Sequence, residues 1–307
     1  MYDLFTIGTM SQSIALSLEE SQSAVTSPPA LLFEIMRSFV TLARTLNLSH
    51  AVKELGSTRQ TLRRHVSALE EIKGGPLFSV SERRYELTEL GLRILPEAEH
   101  LLAQAEGWVV GAASQLNGLQ YLSKTTDEGW MYFQQQQPIG KAFSSTSSML
   151  PACVNAWAEA RGDIEHPAMK AIRPKCMTFR RSEANWIFTE VGEESSFRSW
   201  FGWTMAQSTI GRSLGQLPGG TIFDHLVNLA YVDVETSQSV RLDHCYTKLF
   251  NEEKGEPVPI CYERLLLGSR FADGSFAMVS TVRRTYDIEI EGVTDEMLRL
   301  MPERYLM

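Results

Sequence analysis

Three arginines, Arg59, Arg63 and Arg64, stand within six residues of one another in the segment HAVKELGSTRQTLRRHVSALEE, residues 50–71, with Gln60 beside the first. A guanidinium is always charged and presents planar, paired donors. It can bond the O6 and N7 acceptors of guanine in the major groove, and a glutamine can make the matching paired contact to adenine. Arginines off the groove floor would grip phosphates. The same residues would also be unremarkable as a solvated basic helix face. What separates the two readings is the set of elements that holds them.

The preceding stretch LLFEIMRSFVTLARTL places Phe33, Met36, Phe39, Val40 and Ala43 at helical spacing, which predicts one amphipathic helix. Asn47 is a capping residue for a second helix, LSHAVKEL, that turns Ala51, Val52 and Leu55 inward and ends at Gly56. Thr58 caps a third, on which Leu62, Val66 and Leu69 are spaced four and three and share a buried face. Arg59, Gln60, Arg63, Arg64 and Ser67 then lie off that face. Two short helices joined by a glycine turn, the second with a polar basic face, form a helix-turn-helix. GGPLFSVSERRYELTELG, 74–91, follows as a β-hairpin wing with Arg83 and Arg84 at its tip. Thr58, Arg59, Gln60, Arg63, Arg64, Arg83 and Arg84 are therefore the candidate contacts to double-stranded DNA.

Thr88 caps a further helix. On it Leu95, Leu102 and Val109 recur every seven residues, and Ile94, Ala98, Leu101, Ala105 and Trp108 supply a second row. A heptad seam of this kind pairs a helix with its own copy; packing against the chain's own core would leave the same pattern. The expectation is a homodimer or tetramer.

The chain of 307 residues carries a net charge of −8, unevenly spread. Residues 31–93 hold ten Lys/Arg against seven Asp/Glu, and the remainder is acidic. A basic module on an acidic body points to a polyanion met by that module alone. No apolar run reaches the length of a membrane span, and no signal peptide is legible at the N-terminus. The four cysteines, Cys153, Cys176, Cys245 and Cys261, form no C-x-x-C pair, which argues for a reducing compartment and against zinc. Neither a metal nor a cofactor is predicted. The Asp243-His244-Cys245 triplet sits in a strand pattern that turns neighbours to opposite faces, so His244 cannot easily activate the thiol.

These readings divide the chain into a mobile tail (1–30), a winged helix-turn-helix (31–92), a dimerising linker helix (93–117), a connector with room for one short hairpin (118–147) and a second domain (148–307). The last mixes helix with strand. An early strand, NWIFTEVGEES, precedes two helices, three strand candidates follow, the last two joined at Asp273-Gly274, and a short helical tail, TDEMLRLMPERYL, closes the sequence. The order predicts a PAS-like α+β domain, one five-stranded antiparallel sheet with helices on one face. Trp186, Phe188, Phe201, Trp203 and Phe223 are its candidate pocket residues, for a ring-bearing or acyl ligand; an ordinary core uses the same residue types.

Two resemblances carry these expectations further. Residues 31–110 resemble the winged helix-turn-helix and linker helix of LysR-type transcriptional regulators, through Phe39, Ala51, Leu55-Gly56, Val66, Leu69-Glu70, Pro76-Leu77-Phe78, Leu87-Thr88 and Gly91. That family usually carries Pro where Gln60 stands, Ser where Arg63 stands and Arg where Val80 stands; two of these positions face the groove, so the operator is expected to be the chain's own. The family also usually carries a two-lobed α/β effector domain like a periplasmic binding protein, which remains the alternative fold for the C-terminal part. Residues 145–292 resemble instead a PAS-type family of α-proteobacterial proteins, through Trp157, Arg161-Gly162, Val191-Gly192, Gly211-Arg212-Ser213-Leu214 and Tyr262-Glu263-Arg264-Leu265-Leu266. The resemblances imply a bacterial, cytoplasmic, sequence-specific DNA-binding regulator rather than an enzyme, whose C-terminal domain senses an unknown small molecule or mediates assembly. A C-terminal module that binds a partner protein without ligand is the alternative.

Overall fold

The computed structural model describes residues 29–81, 84–109, 113–126, 129–144, 147–182, 185–216, 220–251 and 255–307. Residues 1–28, and so nearly all of the expected tail, lie outside them.

The N-terminal unit is built from α1 (Leu32–Thr45), α2 (Leu48–Glu54), α3 (Arg59–Lys73), the two-stranded wing β1 (Phe78–Ser81) and β2 (Arg84–Leu87), and the long helix α4 (Glu89–Val109). The apolar stripes predicted from spacing converge: Phe39, Leu42, Ala51, Leu62, Val66, Leu69 and Leu77 form one core, closed by Leu95 of α4. Phe78 packs edge-on against both Phe39 and Tyr85, which ties the wing to α1. Gly91 is required where α4 passes the wing, because a Cβ there would lie 2.3 Å from the Leu77 carbonyl oxygen.

The C-terminal unit is an eight-stranded, wholly antiparallel sheet in the order β3-β4-β5-β8-β9-β10-β6-β7. Its strands are β3 (Ala113–Leu116), β4 (Leu119–Thr125), β5 (Met131–Gln137), β6 (Cys176–Ser182), β7 (Asn185–Val191), β8 (Val240–Asn251), β9 (Glu256–Arg270) and β10 (Phe276–Arg284). Three corrections follow. The sheet has eight strands and not five. The helices cover both faces and not one: α6 (Met149–Ala160) and α7 (Pro167–Ile172) pack on Leu265, Leu267, Ala277 and Val279, while α8 (Ser196–Thr209) and α9 (Gly220–Ser237) pack on Phe179, Leu266 and Met278. The region expected as the end of the linker helix and a connector supplies β3, β4 and β5, with a short helix α5 (Lys141–Ser144) after them. The turn that makes this possible is Asn117-Gly118, both at positive φ, the two-residue hairpin geometry that Asn-Gly favours. A single parallel, two-lobed α/β domain is excluded by the antiparallel pairing. The closing segment forms one turn of helix, α10 (Asp295–Leu298), and a short 3-10 turn, less than the helical tail its pattern predicts. No helix among the described residues is long and apolar enough to cross a membrane.

The motif residues of the second resemblance hold this architecture. Trp157 Nε1 donates to the Gly268 carbonyl at 2.7 Å, fixing α6 to β9. Phe188 N–H donates to the Arg212 carbonyl and Gly211 N–H to the Phe188 carbonyl, so the Gly211–Leu214 segment is pinned along β7.

Candidate nucleic-acid interface

The basic face stands on two capped helices. The Asn47 carboxamide oxygen accepts from the N–H groups of Ser49 and His50, at 2.9 and 3.1 Å. Thr58 Oγ1 accepts from Thr61 N–H at 3.1 Å. Each cap satisfies helix-start donors that would otherwise be unpaired. Gly56, at φ +57°, makes the turn between them. Beneath α3, Leu62, His65, Val66 and Leu69 are buried, and His65 shares a 2.8 Å hydrogen bond with Ser38 of α1. The angle of α3 against α1 is thus fixed by apolar packing and one buried polar contact.

Thr58, Arg59, Gln60, Arg63, Arg64 and Ser67 all lie exposed on the opposite side of α3. Arg59 reaches back to Ser49 Oγ at 2.9 Å, so it also braces α3 against α2. Among the described residues no carboxylate lies within ion-pair range of Arg63, Arg64 or Arg84. A cluster of cations without internal partners is an anion-accepting surface. The Glu70 carboxylate accepts from Leu77 N–H at 2.9 Å, joining α3 to the wing. Arg84 is exposed on β2, opposite Ser81. Arg83 lies outside the described residues. Thr88 behaves as the expected cap, accepting from Gly91 N–H at 3.1 Å.

The two apolar rows of α4 separate. Leu95 and Leu102 are buried within the chain's own fold, because they face α1 and the second domain; their expected place in an intermolecular seam is corrected accordingly. Ile94, Ala98 and Ala105 are half-buried. Leu101, Trp108 and Val109 are exposed, Trp108 by 74% and Val109 by 70%.

Sequence reasoning missed the contact between the two units. Arg181, at the end of β6, donates through Nη2 to Glu99 of α4 and through Nη1 to Glu235 of α9, the latter at 3.1 Å. All three side chains are largely buried. Burial raises the carboxyl pKa of both glutamates against the lowering effect of Arg181. Nothing in the spacing of residues 99, 181 and 235 signals this three-way contact.

The second domain holds a cavity of about 120 Å³, partly open to solvent, between the sheet and α8/α9. Phe188 and Phe201 line it, as expected. Trp186 does not: it is buried against α9, where its Nε1 donates to Asn228 at 2.8 Å, and it stacks near Arg181. Trp203 does not either. It is 56% exposed and lies under the Arg198 guanidinium, because α8 breaks at Gly202, at φ 80° and ψ 172°. The side chain of Phe223 lies outside the described residues. Polar lining residues went unpredicted: Arg264, Ser280 and Arg284. Cys245 is buried, and burial pushes its thiol up to about 12, which makes it a poor nucleophile.

Comparison with known proteins places the N-terminal unit. Residues 33–92 match the family of bacterial regulatory helix-turn-helix proteins, lysR family. This unit is a LysR-family helix-turn-helix domain. The chain is 31% identical over 137 residues to the HTH-type transcriptional regulator IlvR of Caulobacter vibrioides, a match covering 44% of this chain and 41% of that protein. It is 33% identical over 87 residues to the regulator DgdR of Burkholderia cepacia, covering 28% and 30%. It therefore spans less than half the length of these two relatives. Among solved structures, oxidized OxyR of Corynebacterium glutamicum is 28% identical over 29% of this chain and 28% of that one, with a TM-score of 0.27. The DNA complex of the CbnR DNA-binding domain is 29% identical over 26% of this chain and 91% of that one, with a TM-score of 0.25.

Proposed function

We propose that this chain is a sequence-specific, DNA-binding transcriptional regulator of the LysR type. The observation that carries the reading is the exposure of Arg63 and Arg64, with no carboxylate in ion-pair range among the described residues, on the second helix of a LysR-family helix-turn-helix. Arg59, Gln60, Arg63 and Arg64 read or grip the major groove, with Thr58 capping the helix at the same edge; Arg83 and Arg84 of the wing hold flanking backbone. The chain acts as a homodimer or tetramer through the exposed Leu101, Trp108 and Val109 of α4, which pair two recognition helices on two half-sites.

The second domain is read as a PAS-like sensor. Two strands, then helices, then three consecutive antiparallel strands in one continuous sheet support this. Its signal reaches α4 through the Arg181 contact with Glu99 and Glu235. A ligand that prefers one arrangement of α9 and β6 shifts the position of α4 and, with it, the spacing of the two recognition helices. The reading as a partner-binding module needs segment 197–203 on the surface. Phe197 and Phe201 line the cavity instead, and of the segment's aromatics only Trp203 is well exposed, which favours the sensor.

Selection of duplexes from a randomised pool by the full-length chain tests the reading. Enrichment of a two-fold symmetric sequence, with half-sites about one helical turn or a multiple apart, is the expected outcome. Recovery of a pool no different from the input would contradict it.

A further inference from the structure

The cavity in the second domain has apolar walls and an unsatisfied polar side. Ser280 is fully buried, and its Oγ has no partner among the described residues. Arg264 is also buried; its Nη2 donates to Gln134 at 2.7 Å and to Asp243 at 2.9 Å, but its Nε is unpaired. Arg284 is 4% exposed, and its acceptors among the described residues are all neutral. Its Nε donates to the Tyr305 carbonyl at 2.6 Å, Nη1 to the Ser196 carbonyl at 2.9 Å and Nη2 to Ser199 Oγ at 2.7 Å. No carboxylate among the described residues is in ion-pair range of Arg284.

The strand register brings these three together. Arg264 of β9 is paired with Val282 of β10, so it lies diagonal to both Ser280 and Arg284 on one face of the sheet. Diagonal neighbours of this kind are roughly 7–8 Å apart, within reach of long side chains. Among the described residues, no acidic side chain lines the cavity. One guanidinium is neutralised by Asp243; the other is a buried cation with no counter-ion among the described residues, a costly arrangement unless an anion completes it. Burial, foremost, draws the Arg284 guanidinium down to about 10, against a smaller raising effect of Tyr305.

The volume suits a small ligand body. A cavity of about 120 Å³ is close to the roughly 150 Å³ apolar cavity that admits benzene. A planar carboxylate matches the fork of a guanidinium and accepts from a serine hydroxyl as well. Resting on the reading of this domain as a sensor, we propose that the cavity binds a monoanionic organic acid of about benzoate to hexanoate size. Its carboxylate faces Arg284, Arg264 and Ser280, and its apolar body lies against Phe188, Phe197 and Phe201.

Isothermal titration of the full chain, without DNA, with sodium benzoate and sodium hexanoate tests this directly. Benzamide and hexanamide serve as neutral isosteres. Saturable binding of an acid is expected, with its amide at least tenfold weaker. Arg284→Gln should lose tenfold or more in acid affinity. Because Arg284 also braces α8, Ser280→Ala, expected to weaken acid binding severalfold, and Val227→Trp, expected to fill the cavity and abolish it, keep the test decisive if that variant does not fold. Failure of both acids to bind, equal binding of acid and amide, or undiminished acid binding in Ser280→Ala and Val227→Trp would overturn the proposal. Failure of the DNA-binding reading would show in the duplex selection, where no acid is present.

Discussion

Single residues on α3 do two separable jobs. Leu62, Val66 and Leu69 hold the helix, and Arg63 and Arg64 face outward from it. Thr58 stands between these jobs, since its hydroxyl satisfies Thr61 N–H at the helix start. Thr58→Ala should lower stability by about 1 kcal/mol, measured by chemical denaturation. On the second domain, His244 is buried, and its Nδ1 accepts from Glu289 N–H at 2.8 Å, so its proton sits on Nε2. Burial, foremost, holds its pKa down from 6.5 to about 4. A folded value below the unfolded one means the unfolded chain takes up the proton first. The neutral form's stability is therefore intact above pH 6.5 and is lost as the pH falls from 6.5 toward about 4. The loss is on the order of 3 kcal/mol once the pH is below both values. His244→Gln should flatten this part of the stability-versus-pH curve; an unchanged curve would show that His244 is not its source.

At the scale of elements, the Arg181 contact is the joint between α4, β6 and α9. Two carboxylates share the Arg181 guanidinium and Arg44 acts on Glu99 alone, so Glu235 carries the less compensated charge in a nearly dry site when both are ionised. Both glutamates have folded pKa values raised above the ordinary 4.5, so this site favours the fold below that value and disfavours it as the pH rises through the folded ones. Glu235→Gln keeps an acceptor for Arg181 and removes that charge. Its melting temperature should exceed the wild type's by an amount that grows from pH 5 to pH 8, read by calorimetry; a constant difference would contradict the assignment. The helix-turn-helix was legible in the sequence because each of its parts is local: a cap, a glycine turn and a stripe at spacing four and three. The joint was not, because 82 residues separate Glu99 from Arg181 and no local pattern couples them. The β3–β4 hairpin was legible in principle through Asn117-Gly118, but its flanking residues are mostly polar and read as a connector. In the cavity, Phe188 and Phe201 were legible as aromatics at strand and helix positions. Trp203 turns outward only because Gly202 breaks the helix, and Arg264, Ser280 and Arg284 converge only through the register of β9 and β10.

For the whole molecule, a LysR-family helix-turn-helix unit is joined by α4 to an antiparallel α+β domain with a partly open cavity. On the dimer reading, Leu101→Asp with Trp108→Asp should convert the chain to a monomer in light scattering at micromolar concentration. It should also weaken binding to a two-half-site duplex far more than to a single half-site. The measurement that tests the account most directly is fluorescence anisotropy of wild type, Arg63→Ala and Arg84→Ala on a selected duplex and a scrambled one, across a range of salt. The account predicts that Arg63→Ala loses about 1–3 kcal/mol of preference for the selected sequence. Arg84→Ala should weaken both duplexes alike and reduce the salt slope by about one. Equal binding of both duplexes by wild type and both variants would contradict it.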